Sequence, residues 1–471
     1  ILGDILSDIS HASSQASIAG IQTHLLEDFR TKETARFMTD RPRSRAALDA
    51  GAAPWLNGVP MHWMRDWPSP FPLVVKKAKD ARLIDIDGHK LDDFCLGDTG
   101  SMFGHSPPAV ARAIRRQAGR GLTYMLPSQA ALKAGALMVE HFGDFIWQMA
   151  LSATDANRSA LRVARALTGR RKILVFNGCY HGTLEDTMVE LQAGQTAARA
   201  GLVGQCFDLL EGAVCVEFND LEAVAAALAH GDVAAILTEP VMTNSCMVLP
   251  QPGFLEGLRA VADAHGALLI IDETHTQSTG RGGYTGQNGL APDIFVIGKC
   301  VAGGMPTALW GMTNTVAKRF QTYDAARPSG HSGMGTTLAG NPMQFACLEA
   351  TLSKVATPDA FVHMNAGATR LTAGLDDAIA QAGLPWHVVR VGARVEFICA
   401  PGRLMNGTQA AAAHHPALEG AVHLGLLNRG CLIAPFHNMM LVSPVTTVRQ
   451  IDRLIEAFTE VVTELKGGTH A

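Results

Sequence analysis

The stretch "PDIFVIGKCVAGGMP" (292–306) sets one lysine, Lys299, between a short apolar run and a cluster of glycines. A charge at the end of such a run loses hydration, so it needs a partner or a changed protonation state. A desolvated lysine amine condenses with aldehydes. Two further strand-like runs end in acids: "VAAILTEP" (233–240) gives Glu239 and "ALLIIDE" (267–273) gives Asp272. An acid after "LLII" is expensive to bury alone and needs a cationic partner. In open α/β sheets, ligands gather at the carboxyl ends of the strands, where all three side chains fall.

An aspartate facing a lysine amine across neighbouring strands suits a cofactor that carries a cationic ring and an aldehyde. Pyridoxal 5'-phosphate has these parts, and its phosphate calls for a helix N-terminus. "LSATDANRSALRVARALTG" (151–169) provides one: Ser152, Ala153 and Thr154 precede a helical stripe of Ala160, Leu161, Val163, Ala164 and Leu167. Their backbone N–H groups and the Thr154 hydroxyl would hold an anion. A second small-residue loop, "GMGTTLAGNP" (333–342), offers paired hydroxyls at Thr336 and Thr337. An aromatic cover for the ring comes from "NGCYHG" (177–182), with Tyr180 and beside it His181. The glycine run "GRGGYTGQNG" (280–289) lacks the GxGxxG spacing and opens no helix, so a dinucleotide site is set aside.

The elements that must position these residues follow from pattern. From about residue 107, helical patterns alternate with the strands "KILVF" (172–176), "VAAILTEP", "ALLIIDE" and "DIFVIG" (293–298). Continuous apolar strands between helices predict an α/β fold with a mainly parallel sheet covered on both faces. Three regions emerge: an N-terminal helical segment and β-hairpin (1–96), a large cofactor-binding domain (97–345) and a small C-terminal α+β domain (346–471). The hairpin turns at Asp87-Gly88, the first helix draws on Ile18, Ile21, Leu25 and Phe29, and the last helix covers 448–465.

Bulk properties narrow the class. The chain has 471 residues, 47% hydrophobic and 17% charged, with a formal net charge of −4. That describes a folded protein with no basic footprint for nucleic acid. No apolar span reaches membrane length, and "ILGDILSDIS" has no basic n-region, so a cytoplasmic protein is expected. Nine cysteines, an odd number without CxxC, fit reduced buried thiols. His414 and His415 lack a second ligand pair, so no metal site is expected.

Together, "LLIIDE", "PDIFVIGKCVAGGMP", "GTTLAGNP" and "SATDA…GRRKILVFNGCYHG" resemble the class III aminotransferases of pyridoxal-phosphate fold type I. The likeness runs from about residue 70 to the end. "NRGCLIAPFHNMMLVSP" (428–444) is similar to the branch of glutamate-1-semialdehyde aminomutase and β-amino-acid transaminases. The resemblance implies that Lys299 forms the internal aldimine and shuttles the proton, while Asp272 pairs with the pyridine nitrogen. It also implies that Tyr180 stacks on the ring, Ala153 and Thr154 bind phosphate, and Thr337 serves the cofactor of a neighbouring subunit in a homodimer. Thr274 stands where the family usually has valine, and Ala153 and Asp155 where it usually has glycine and glutamate. For the substrate, the branch suggests an arginine before the first hairpin, which makes Arg65 the candidate carboxylate partner. Trp63, Trp67, Tyr124 and Met439 would build an apolar wall, with polar contacts from His437 and Asn438. The expected activity is amino transfer from an amino acid or amine, including β-amino acids or bulky apolar donors, to a keto acid or aldehyde. A 1,2-aminomutase is the alternative, and a non-catalytic cofactor-binding module a remote one, since residues 1–70 show no basic helix-turn-helix.

Overall fold

The computed structural model describes residues 17–51 and 54–468. The four apolar runs read as strands form Lys172–Phe176, Val233–Thr238, Leu268–Asp272 and Ile294–Ile297. They are parallel neighbours in a seven-stranded sheet, ordered Ala213–Val216, Lys172–Phe176, Val233–Thr238, Leu268–Asp272, Ile294–Ile297, Ala308–Thr313, Phe145–Ala150. Only the pairings of Ala308–Thr313 with its two neighbours are antiparallel. Every residue of Val233–Thr238 and of Leu268–Asp272 is buried, which is why these strands show no polar alternation. Helices including Ala153–Thr168, Phe254–His265 and Pro342–Lys354 cover the sheet. The strands Phe145–Ala150, Ala213–Val216 and Ala308–Thr313 were not anticipated; Phe145–Ala150 alternates in burial, yet its sequence, FIWQMA, is apolar at every position but Gln148 and shows no matching alternation.

The smaller region packs the helices Pro358–Gln381, Pro416–Asn428 and Val448–Leu465 around a three-stranded antiparallel sheet. The N-terminal segment does not stand apart from it. Ile21, Leu26 and Phe29 share a core with Leu371, Phe397 and Phe458. The strand Lys90–Asp93 pairs in parallel with Cys431–Leu432. The hairpin at Asp87-Gly88 is present, and a further strand, Val75–Lys79, extends it. One correction concerns the first helix: Ile18 and Ile21 lie in two short strands, and the helix spans Thr23–Asp40. Gly20, at φ +86°, turns the chain there, and Trp386 Nε1 fixes the turn by donating to the Ala19 carbonyl at 2.8 Å.

Candidate active site

Asp272 ends its strand and Lys299 follows the adjacent parallel one, where Asp272 pairs with Val296. Both side chains line one cavity of about 410 Å³, together with Ser152, Ala153, Thr154, Tyr180, His181, Glu239 and Thr274. So ten named positions of the sequence reading reduce to nine that share a wall; the tenth, Thr337, lies on an exposed loop outside the cavity of its own chain.

Asp272 is buried and held as an anion. Asn157 Nδ2 donates to its Oδ2 at 2.8 Å, His181 Nδ1 lies 3.0 Å from the same atom, and Thr274 donates to Oδ1 from both N–H (3.0 Å) and Oγ1 (2.6 Å). Burial opposes the charge, but His181, Thr274 and Asn157 outweigh it and keep the carboxyl below its ordinary value. For His181, burial again opposes the charge, while the Cys179 sulfur and Asp272 push its pKa up to about 10. The hydroxyl of Thr274 therefore orients Asp272 rather than simply adding polarity near a ring.

At the phosphate end, Ser152 is the N-cap of Ala153–Thr168 and accepts from Asp155 N–H. The first-turn N–H groups of a helix have no intrahelical acceptors, so Ala153 and Thr154 present donors at the cavity wall. Thr183 N–H donates to Thr154 Oγ1 at 3.2 Å, tying the Tyr180–His181 loop to this helix. Gly182 permits that approach: at φ +90°, a Cβ there would fall 2.1 Å from Thr154 Oγ1.

Lys299 has φ +48°, a left-handed conformation that costs a side-chain-bearing residue roughly 1 kcal/mol or more. Its Nζ lies 2.6 Å from Asp98 Oδ2, 3.0 Å from the Asp98 carbonyl and 3.1 Å from His275 Nε2. Neither Asp98 nor His275 was singled out in the sequence. Asp98 is remote in the chain and sits in an ordinary-looking "LGDTG"; His275 follows Asp272 by one strand-end turn in "IIDETH". The sequence signal for His275 was the acid-free polar cluster "THTQST" (274–279) after the buried strand.

The substrate candidates fare differently. Arg65 is exposed and lies outside the cavity lining, as do Trp63 and Tyr124. Trp67 lies outside the cavity lining: it packs edge-on against His423 at 5.6 Å and joins an apolar cluster with Leu91 and Leu427, where a half-buried indole finds apolar area. Met439 is fully buried in the small-region sheet, and Asn438 Nδ2 donates to the Phe397 carbonyl. His437 lies outside the cavity lining, its Nδ1 3.3 Å from Glu396 Oε1. The apolar wall of the cavity comes instead from Leu151, Met305 and Pro306.

Glu239 faces the cavity with Oε1 unpartnered, while Thr243 Oγ1 donates to Oε2. Burial pushes its pKa up to about 7, above the 4.5 of an exposed glutamate. A carboxyl raised in the folded state weakens folding as pH climbs from 4.5 to 7. Glu239→Gln is therefore expected to stabilise the cofactor-free chain by about 3 kcal/mol at pH 8 and hardly at all at pH 4. Denaturant unfolding at the two pH values measures this; an equal effect at both would show that the carboxyl does not titrate as described.

The donor set fits pyridoxal phosphate: an amine, an anion held for a ring nitrogen, a helix N-terminus, and a tyrosine at the mouth. Among the described residues, no cluster of His, Cys, Asp and Glu could hold a metal, and no helix is long and apolar enough to cross a membrane.

Comparison with known proteins agrees with this chemistry. The family model described as Aminotransferase class-III matches residues 64–462. A glutamate-1-semialdehyde 2,1-aminomutase of Roseiflexus castenholzii is 34% identical over 371 residues, covering 77% of this chain and 83% of that protein. Among solved structures, a glutamate-1-semialdehyde-aminomutase from Pseudomonas aeruginosa PAO1 superposes with a TM-score of 0.93 at 46% identity, over 95% of this chain and 100% of the other. A β-phenylalanine aminotransferase from Variovorax paradoxus gives a TM-score of 0.82 at 27% identity, over 92% and 97%.

Proposed function

The chain belongs to the class III aminotransferases, pyridoxal-phosphate enzymes of fold type I, and from that premise we propose that it moves an amino group from an amino acid or amine to a keto acid or aldehyde. The observation that carries this reading is the pairing of Lys299 and Asp272 across one cavity, with a helix N-terminus at its wall. When bound, pyridoxal phosphate supplies a conjugated ring that accepts electrons from the carbon losing its proton. Asp272 would keep a proton on the ring nitrogen, and His181, Asn157 and Thr274 keep Asp272 ionised for that task. Ala153 and Thr154 would hold the phosphate, and Tyr180 would cover one face of the ring. Lys299 Nζ would take the proton from the donor carbon and return it to the acceptor carbon.

Leu151, Met305, Pro306 and Tyr180 favour a donor with a bulky or apolar side chain, β-amino acids included. Thr337 lies outside the cavity lining of its own chain, and the reading assigns it to the phosphate of a second copy, in a homodimer with sites at the interface. Arg65 is exposed in the single chain and would bind a carboxylate only if that segment closes over a site. A second reading, a 1,2-aminomutase, is favoured by the 46% identity with the Pseudomonas protein of that name. Half-reactions separate the two. A transaminase given one amine and no acceptor should release one equivalent of carbonyl product per site and stop. A mutase should turn one substrate over repeatedly with no acceptor and no carbonyl product lost, and that result would replace the first reading.

A further inference from the structure

We propose that Asp98 and His275 form a dock for the free ammonium of Lys299, giving each of its three hydrogens an acceptor while the lysine waits between bond-forming steps. The proposal rests on the reading of Lys299 as the reacting amine and adds the residues that place it. A lysine ammonium has three donors and no acceptor. Around Nζ stand Asp98 Oδ2 at 2.6 Å, the Asp98 carbonyl at 3.0 Å and His275 Nε2 at 3.1 Å. One residue thus offers two acceptors, and a third comes from the loop that follows Asp272.

The dock is built at the expense of backbone freedom. Leu96, Gly97, Asp98 and Thr99 have φ values of 47°, 59°, 48° and 78°, four consecutive left-handed residues of which one is glycine. Such runs persist only where their surroundings over-determine them. Here Asp93 Oδ1 accepts from the N–H groups of Cys95 and Leu96 at 2.8 Å, and Asp93 Oδ2 lies 2.7 Å from His105 Nε2. The left-handed run turns both the carbonyl and the carboxylate of Asp98 toward one amine, and Lys299 meets them in a left-handed conformation of its own.

The dock calls for one of the two His275 tautomers. If Nε2 accepts from Lys299, Nδ1 carries the proton, and Thr99 Oγ1 stands 3.0 Å away to receive it. Arg394, itself buried, sets Nη1 3.3 Å from His275 Nδ1 and 3.4 Å from the same hydroxyl; in this tautomer the hydroxyl, not the ring, takes the Nη1 hydrogen, and Nη2 donates to the Thr243 carbonyl and Glu396. The charged groups facing His275 are Lys299, Arg394, Asp98 and His437; burial, then Lys299, hold its pKa well below the usual value, with Asp98 opposing. A neutral ring is what the dock requires, since an imidazolium would have no lone pair for Nζ.

Two measurements test the dock without using turnover, so their failure is distinct from failure of the aminotransferase reading. In the first, the full chain freed of cofactor is acylated with acetic anhydride, and mass spectrometry follows the peptide containing Lys299. Asp98→Asn should label Lys299 at least fivefold faster at pH 7.5, while the exposed Lys318 is unchanged. An unaltered Lys299 rate, or an equal change at Lys318, overturns the proposal. The second needs no variant at Asp98. In protein labelled with 15N-histidine, the imidazole signals lost in His275→Leu identify His275. The expected pattern is a neutral ring protonated at Nδ1; protonation at Nε2, or at both nitrogens, overturns it.

Discussion

Lys299→Ala is expected to lower kcat by about 10⁴-fold or more, a loss of over ~5 kcal/mol of transition-state stabilisation. Among the described residues no other lysine lines the cavity, so none of them can supply the amine. The fold should survive. Alanine at φ +48° bears a strain similar to that of lysine, and the side chain lost is partly exposed, at 28%. What is left behind is Asp98, whose carboxylate is partly exposed and has His275 Nδ1 3.9 Å away. Steady-state assays and circular dichroism check both halves of the expectation. Added methylamine, a small base able to enter the vacated space, should restore a measurable part of the rate. A variant that keeps more than a tenth of wild-type kcat without added amine would remove Lys299 from the chemistry, and with it the proposed transfer.

The parts of this site that could be read in the sequence were those whose chemistry conflicts with their surroundings. An acid after "LLII" and a lysine after "IFVI" stand out because burial penalises an unpaired charge, and a conflict of that kind demands an explanation. The strands carrying them stand out for the same reason, being apolar on both faces. Asp98 and Arg394 escaped notice because their partners are distant in sequence: Asp98 meets Lys299 across 201 positions, and Arg394 meets Thr99 across 295. Backbone conformation was equally hidden. "LGDTG" holds two glycines, yet Leu96, Asp98 and Thr99 take positive φ as well, which residue type alone argues against. Trp67 shows the opposite case. Its proximity to Arg65 in the sequence suggested a shared wall, whereas the indole goes to the core beside His423 and the arginine to the surface. Local pattern reports burial well and says little about which side chains converge.

Asp272→Asn isolates the charge of the ring partner from its shape. The amide is isosteric but keeps one oxygen: at Oδ1 it still accepts from Thr274, while Asn157 Nδ2 loses its acceptor at the other position, and the amide cannot hold a proton on a ring nitrogen. We expect kcat to fall by roughly 10³-fold, about 4 kcal/mol, with little change in KM for the donor, since the loss falls on the proton-removal step. The stability profile carries a separate signature. Asp272 is depressed in the folded state, so its contribution is present above an exposed aspartate's 3.8 and is lost as pH falls through the folded value. His181 is raised to about 10, so its contribution is complete below 6.5 and is lost as pH rises through about 10. The pair therefore stabilises most between roughly pH 4 and 6.5. In the variant the Asp272 share of what offsets burial at His181 is gone, the His181 pKa falls from about 10, and the pair's contribution to stability shrinks. The gap in unfolding free energy between wild type and variant should be widest near pH 5 to 6 and narrow toward pH 10. Denaturant titrations at pH 5.5, 7.5 and 9.5 measure it. A constant gap would mean that His181 is not charged by Asp272, and kcat within threefold of wild type would mean that Asp272 is not the ring's partner.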